Sequence, residues 1–94
     1  MKFVNETDHE SPFTFPCRFP IKVMGRHEAE FEAQVVALIS EHSGTEIPAA
    51  SVRTRASSNG RFLAVTITID AESREQLDAI YRALTAAEQV LFVL

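Results

Sequence analysis

Three histidines, one cysteine and the adjacent trio Arg26-His27-Glu28 are the residues of this chain whose types suit chemistry. An imidazole exchanges a proton near neutral pH, a carboxylate can accept one, and a guanidinium can hold an anionic group beside them. That trio is where a small enzyme would have to work. The other candidates lack partners. His9, His27 and His42 fall in separate segments, with neither His-x-x-x-His spacing nor a His/Cys cluster to hold a metal. Cys17 is flanked by Pro16 and Arg18 with no base marked beside it, and reads as a small hydrophobe. No nucleophile elbow or glycine-rich phosphate loop occurs. The expectation is a chain without catalytic residues, metal or cofactor. The alternative is a small enzyme built on the first strand–helix turn.

The segments that would position these groups follow from hydrophobic period. With 94 residues and an apolar share of 46%, the chain suits one globular domain. No apolar run nears the ~20 residues that cross a bilayer. Glu6, Asp8 and Glu10 stand where a signal peptide needs an apolar core, and a lone cysteine permits no internal disulfide, so a cytoplasmic location is expected. Residues 1–14 lack any period and are expected to form a flexible lead-in, held down by Phe13 or Phe15. The domain is expected over residues 15–94. Phe19, Ile21 and Val23 alternate in a first strand over 18–24, weakened by Pro20 and ended by Gly25. Phe31, Val35, Leu38 and Ile39 make one stripe of a helix over 28–42, stopped by Gly44 and Pro48.

The clearest local signal is a hairpin. Strand 50–57 meets Asn59-Gly60, the dipeptide of tight two-residue turns, and then Leu63, Val65, Ile67 and Ile69 alternate with Phe62, Ala64, Thr66 and Thr68. A loop centred there pairs Ala56 with Leu63, Thr54 with Val65 and Val52 with Ile67. A slip of one residue would turn Arg53 and Arg55 into the core. A second helix over 73–85 carries Leu77, Ile80, Tyr81 and Leu84 on one face, with Glu75 placed to reach back as in a capping box. The apolar run 89–94 is a last strand. Strand, helix, strand, strand, helix, strand is the ferredoxin-like βαββαβ arrangement, an α+β sandwich with sheet order 4-1-3-2 and both helices on one face.

Several words in this frame resemble the YbeD family of small bacterial proteins of unassigned activity. They are Phe15-Pro16, Pro20-Ile21-Lys22-Val23-Met24-Gly25, Gln34-Val35-Val36, Ser57-Ser58-Asn59-Gly60, Val65-Thr66-Ile67-Thr68-Ile69 and Ile80-Tyr81-Arg82-Ala83-Leu84. The resemblance covers roughly residues 15–94 and implies a ferredoxin-like fold similar to the ACT domain, a small-molecule-sensing module. It also implies that the turn Gly25-Arg26-His27 would bind an effector such as an amino acid. Gly25 would admit the ligand to the backbone, helix N–H groups would meet its carboxylate, and Arg26 would add a charge-assisted bond. Met24-Gly25-Arg26-His27 lacks the Asp and Pro-Gly common in ACT effector loops.

Alternation leaves one sheet face uncovered by helices. Lys22, Met24, Arg53 and Arg55 are expected on it with Phe62, Ala64, Thr66 and Thr68, joined by Leu91 and Val93 from the last strand. A half-apolar, half-basic face suits a protein contact, or cover by the N-terminal segment. The last strand, apolar and free of proline, suits sheet-to-sheet pairing with a second copy, as ACT-like domains often dimerise. A net charge of −4 and the lack of paired stacking aromatics count against nucleic acid, which leaves single-stranded binding through Arg53, Arg55 and Phe62 as the weaker alternative. The reading is a non-enzymatic regulatory or protein-interaction module, sensing a small metabolite in one version of it.

Overall fold

Alternation at residues 62–71 produces one of the two ten-residue strands at the centre of the sheet. The structure is a computed structural model and describes residues 14–94. Its elements are β1 (Cys17–Arg26), α1 (Phe31–Ser43), β2 (Val52–Ala56), β3 (Phe62–Ala71), α2 (Arg74–Ala86) and β4 (Val90–Val93), with a single 3₁₀ turn at Ala49–Ser51. The sheet order is β2-β3-β1-β4 and every pairing is antiparallel, which is the expected ferredoxin-like arrangement. The expected lead-in, His9 and Phe13 included, lies outside the described residues apart from Thr14. Phe15 packs half-buried against the core.

The core lies between the sheet and the two helices. Ile21, Val23, Val65 and Ile67 face Ile39, Ile80 and Leu84, and all seven are fully buried. Burial of side chains this size contributes roughly 1.5–3 kcal/mol each against the entropy of ordering the chain. On α1, Phe31, Val35 and Ile39 are buried and Leu38 is half-buried, as the stripe requires. On α2, Leu77, Ile80 and Leu84 are buried and Tyr81 is half-buried. Among the described residues no helix is long and apolar enough to cross a membrane.

Local detail departs from expectation where backbone hydrogen bonds decide it. The hairpin register is as expected, pairing Ala56 with Leu63, Thr54 with Val65 and Val52 with Ile67. The loop is wider than a two-residue turn. Gly60 N–H donates to Ser57 O at 2.9 Å, Ser57 N–H donates to Phe62 O at 2.8 Å, and Arg61 N–H donates to Asn59 Oδ1 at 3.0 Å. Gly60, at φ 75°, carries the left-handed conformation of this four-residue loop. α1 starts at Phe31, not at residue 28, with Glu30 in the N-cap position and no side-chain cap bond there. Gly44 closes the helix at φ 77°, donating its N–H to Ser40 O. Ser73 caps α2 by accepting from Gln76 N–H at 3.1 Å. The side chain that reaches back is that of Gln76, not Glu75, and its Oε1 accepts from the N–H of Glu72, one residue before the cap, at 2.7 Å.

Pro20 sits inside β1 at little cost. Lys22 N–H donates to Leu94 O, so alternate residues of β1 point their amides toward β4. The missing N–H of Pro20 therefore faces that side, beyond the pairing of β4, which reaches only Lys22 to Gly25.

Tyr81 ties α2 to the last strand. Its hydroxyl donates to Leu94 O at 3.1 Å, and its ring lies 6.5 Å from that of Phe19. Partial burial disfavours the phenolate and raises the pKa above 10.0. The neutral phenol is the form both states hold below 10, so its contribution to stability is complete there. That contribution is lost as pH climbs from 10 through the raised native value, because the unfolded chain ionises first. Tyr81 is the only tyrosine of the chain, so ultraviolet titration reads it alone. The expected result is a native midpoint above that of the urea-unfolded protein, and weaker alkaline destabilisation in Tyr81→Phe. Equal midpoints would refute this.

Candidate interaction surface

Strand register arranges the open face of the sheet in rows. One row runs Arg55, Ala64, Met24, Phe92 across all four strands. The next runs Arg53, Thr66, Lys22 and then Leu94, which faces Lys22 through reciprocal backbone bonds of 3.3 and 2.8 Å. Each row begins with a cation on β2 and ends with a large apolar side chain, Phe92 on β4 or Leu94 just after it. Phe62 sits above them opposite Arg26. Phe92 is 49% exposed and Leu94 65%, whereas Ala64 is buried between longer row neighbours.

Two residues expected on this face stand elsewhere. Val93 pairs with Val23, so it points to the helix side and packs half-buried against the core. Leu91 falls at a register shift between Met24 and Gly25 and has no Cα partner in the ladder, its side chain 50% exposed. Phe92 and Leu94 take the positions assigned to Leu91 and Val93. The cause is the side-chain period of two, which makes a one-residue shift exchange the faces.

The two edges of the sheet differ. β2 carries Arg53 and Arg55, charges that discourage strand addition. β4 has no charge and no proline, and its Val93 N–H and C=O point outward because Leu94 makes the bonds to β1. That edge is a bare template for another strand.

The turn Gly25-Arg26-His27 does not converge on one point. Gly25 lies within β1 on the helix side, where an added Cβ would fall far inside contact with Phe31 Cε1 and Cζ and 2.6 Å from Gln89 O. The space beside its Cα is filled by the Phe31 ring. Arg26 points to the opposite face of the sheet, opposite Phe62. His27 binds the hairpin loop, its N–H donating to Arg61 O at 2.8 Å and its Nδ1 bonding Gly60 O at 3.2 Å. A carbonyl only accepts, so Nδ1 carries the hydrogen. Glu28 is exposed. His42 Nδ1 bonds Leu38 O at 3.1 Å in the last turn of α1, and Cys17 packs half-buried on the core. Among the described residues no group of three or more His, Cys, Asp or Glu is arranged to hold a metal.

Hollows in the surface differ in size and lining, and one of about 270 Å³ is edged by Phe15, Phe19, Leu77 and Tyr81 with Arg74 and Asp78. An apolar cleft of about 40 Å³ between Phe31, Leu38, Leu84 and Val90 has room for a methyl group, not for an amino acid. A polar hollow of about 340 Å³ is edged by Arg18, Glu46, Asp70 and Glu72, with none of these side chains buried.

Comparison with known proteins agrees with this geometry. A family model described as "Protein of unknown function (DUF493)" matches residues 10–94. The chain belongs to the DUF493 family. A UPF0250 protein of Paraburkholderia phytofirmans is 48% identical over 86 residues, 92% of this chain and 96% of its own length. Another, from Chromobacterium violaceum, is 44% identical over 82 residues, 87% of this chain and 91% of its own. The resemblance read from the motifs is thereby borne out for a bacterial DUF493 chain. Among solved structures, the ACT domain from the GTP pyrophosphokinase of Chlorobium tepidum aligns with a TM-score of 0.64 at 17% identity, covering 82% of this chain and 94% of its own. Protein HP0495 from H. pylori aligns at 0.68 and 14% identity, covering 93% and 91%. Likeness at that identity shows the fold: this DUF493 member is ACT-like and ferredoxin-like.

Proposed function

We propose that the chain is a non-enzymatic regulatory or interaction module of the cytoplasm, working through the open sheet face and the β4 edge. The observation that carries this reading is where the exposed large apolar side chains lie. Leu91, Phe92 and Leu94 gather at one uncharged sheet edge and the face beside it. A folded domain gains nothing from leaving such side chains in water, and contiguous exposed apolar surface marks contact sites. Edge pairing between two copies joins their sheets about a twofold axis. The ACT-like fold supports binding of a small metabolite such as an amino acid, although the Phe31 ring occupies the place beside Gly25. A catalytic reading has less support, because Arg26, His27 and Glu28 diverge.

Sedimentation velocity over a concentration series tests the self-pairing. The expected result is a concentration-dependent dimer for the natural chain and a monomer for Leu91→Lys, with both melting at the same temperature. A natural chain that stays monomeric throughout would overturn self-pairing. A panel of amino acids that leaves the melting temperature unchanged would overturn metabolite sensing.

A further inference from the structure

The net charge of −4 conceals a division of charge between the two layers of the fold. In the four strands, Asp70 is the one acidic residue, and it stands opposite Arg18 across the β1–β3 ladder. Every other described acid lies on a helix or a connecting loop, with Glu28, Glu30 and Glu32 gathered before and in the first turn of α1. Lys22, Arg26, Arg53 and Arg55 stand on the open face, whose one carboxylate, Asp70, lies two rows beyond the Arg53–Thr66–Lys22 row and faces Arg18. The sheet is basic and the helical layer is acidic.

This division chooses among occupants of the open face. Two copies meeting face to face would bring Lys22, Arg26, Arg53 and Arg55 of both into one contact, a concentration of like charge that opposes association. A nucleic acid would match the charge, yet the face has exposed Phe92 and Leu94 on an edge strand and no aromatic on β1 for base stacking. An acidic polypeptide with an apolar stripe matches both features. Its shape follows from the spacing of the rows. Strands lie about 4.8 Å apart, so the cations of β2 and the apolar side chains of β4 are separated by roughly 14 Å across the face. An extended strand is too narrow to engage both, whereas an α-helix with its side chains is about 10–12 Å wide. Arg53 and Arg55 lie roughly 7 Å apart along β2, as do Phe92 and Leu94 along β4, so a short helix running with the strands spans both rows.

We propose that the open face docks an amphipathic acidic helix of a partner protein, its apolar stripe over Met24, Phe92 and Leu94 and its flanking carboxylates toward Arg53 and Arg55. The proposal rests on the interaction reading above and adds the chemistry and shape of the partner. Helix docking by an apolar stripe needs side chains at i, i+3 or i+4 and i+7, and exposed charge pairs beside it set orientation more than affinity.

The test is a titration of the isotope-labelled full chain, followed by amide NMR. The probe is a synthetic helix-forming peptide with leucines at that spacing and glutamates on one flank. Controls are a scrambled isomer of the same composition, the same helix with lysine for glutamate, and a single-stranded oligothymidylate. The expected result is saturable shifts at Met24, Ala64, Thr66 and Phe92 with the acidic helix, weakened by salt and about tenfold by Arg53→Glu/Arg55→Glu. Both arginines are exposed, so the double variant is expected to melt with the natural chain. Equal binding of the scrambled or lysine peptide, tighter binding of the oligothymidylate, or no shift on the face with any probe would each overturn the proposal. Edge dimerisation seen in sedimentation alongside such a result would leave the interaction reading standing and remove only this partner. A chain that is monomeric and binds no probe would remove both.

Discussion

Alanine at Gly25 is expected to cost this domain roughly 2–3 kcal/mol, the range of a forced overpacking of the core. The total held by a domain of this length is roughly 5–14 kcal/mol, and the melting temperature is expected to fall by roughly 10–20 °C. The reason is local. Gly25 carries the pairing of β1 with β4 through a register shift, and its inner side is the floor on which the Phe31 ring rests. A Cβ there would meet two ring carbons and the Gln89 carbonyl, and Phe31 is itself 98% buried, with only the cleft of about 40 Å³ beside it to take up a shift of the ring. Phe31→Leu opens space above Gly25, and in that background alanine is expected to cost less, with a coupling of about 1 kcal/mol or more in a double-mutant cycle. Rescue stays partial because Gln89 O is backbone. Urea denaturation of the four proteins measures the cycle. Strict additivity, or a single variant as stable as the natural chain, would contradict the packing account. The same experiment separates two reasons for the glycine: one kept for ligand approach would lose binding on substitution and keep its stability.

What could be read from the residues depended on how sharply each segment alternates. β3 alternates without a break, so its faces, its partner register with β2 and the outward position of Arg53 and Arg55 were all legible. Residues 90–94 are apolar at every position, so period carries no information about which of them face the core. The register shift at Met24/Gly25 then decided the matter, placing Phe92 on the open side and Val93 beneath. Gly25 did carry a signal: a glycine within an alternating segment often marks a bulge or a close approach, both of which occur here. Its partner in that approach, Phe31, is six residues away across an irregular turn, a distance that spacing alone does not resolve. The division of charge was invisible for a different reason. Lys22, Arg26, Arg53 and Arg55 are scattered along the chain among acids, and only the register brings them to one face.

Truncation of Ile67 and of Phe92 is expected to separate what the fold needs from what the surface is for. Ile67 is fully buried, at the centre of a row formed with Ile21 and Val52 on the helix side of the sheet. Ile67→Ala removes methyl groups that no neighbour can replace, and is expected to cost about 2–5 kcal/mol. Phe92 lies on the open side of β4 opposite Met24 and is half in water already. Phe92→Ala is expected to change stability by no more than about 0.5 kcal/mol, as at other exposed sites. Chemical denaturation of both variants measures the contrast. A cost above about 2 kcal/mol at Phe92 would mean that its ring belongs to the core, and the interaction surface would lose its largest side chain. A small cost leaves a large aromatic exposed for a reason other than stability. On a row that ends in Arg55 and lacks any acid, such an outcome would support the proposed contact with another molecule.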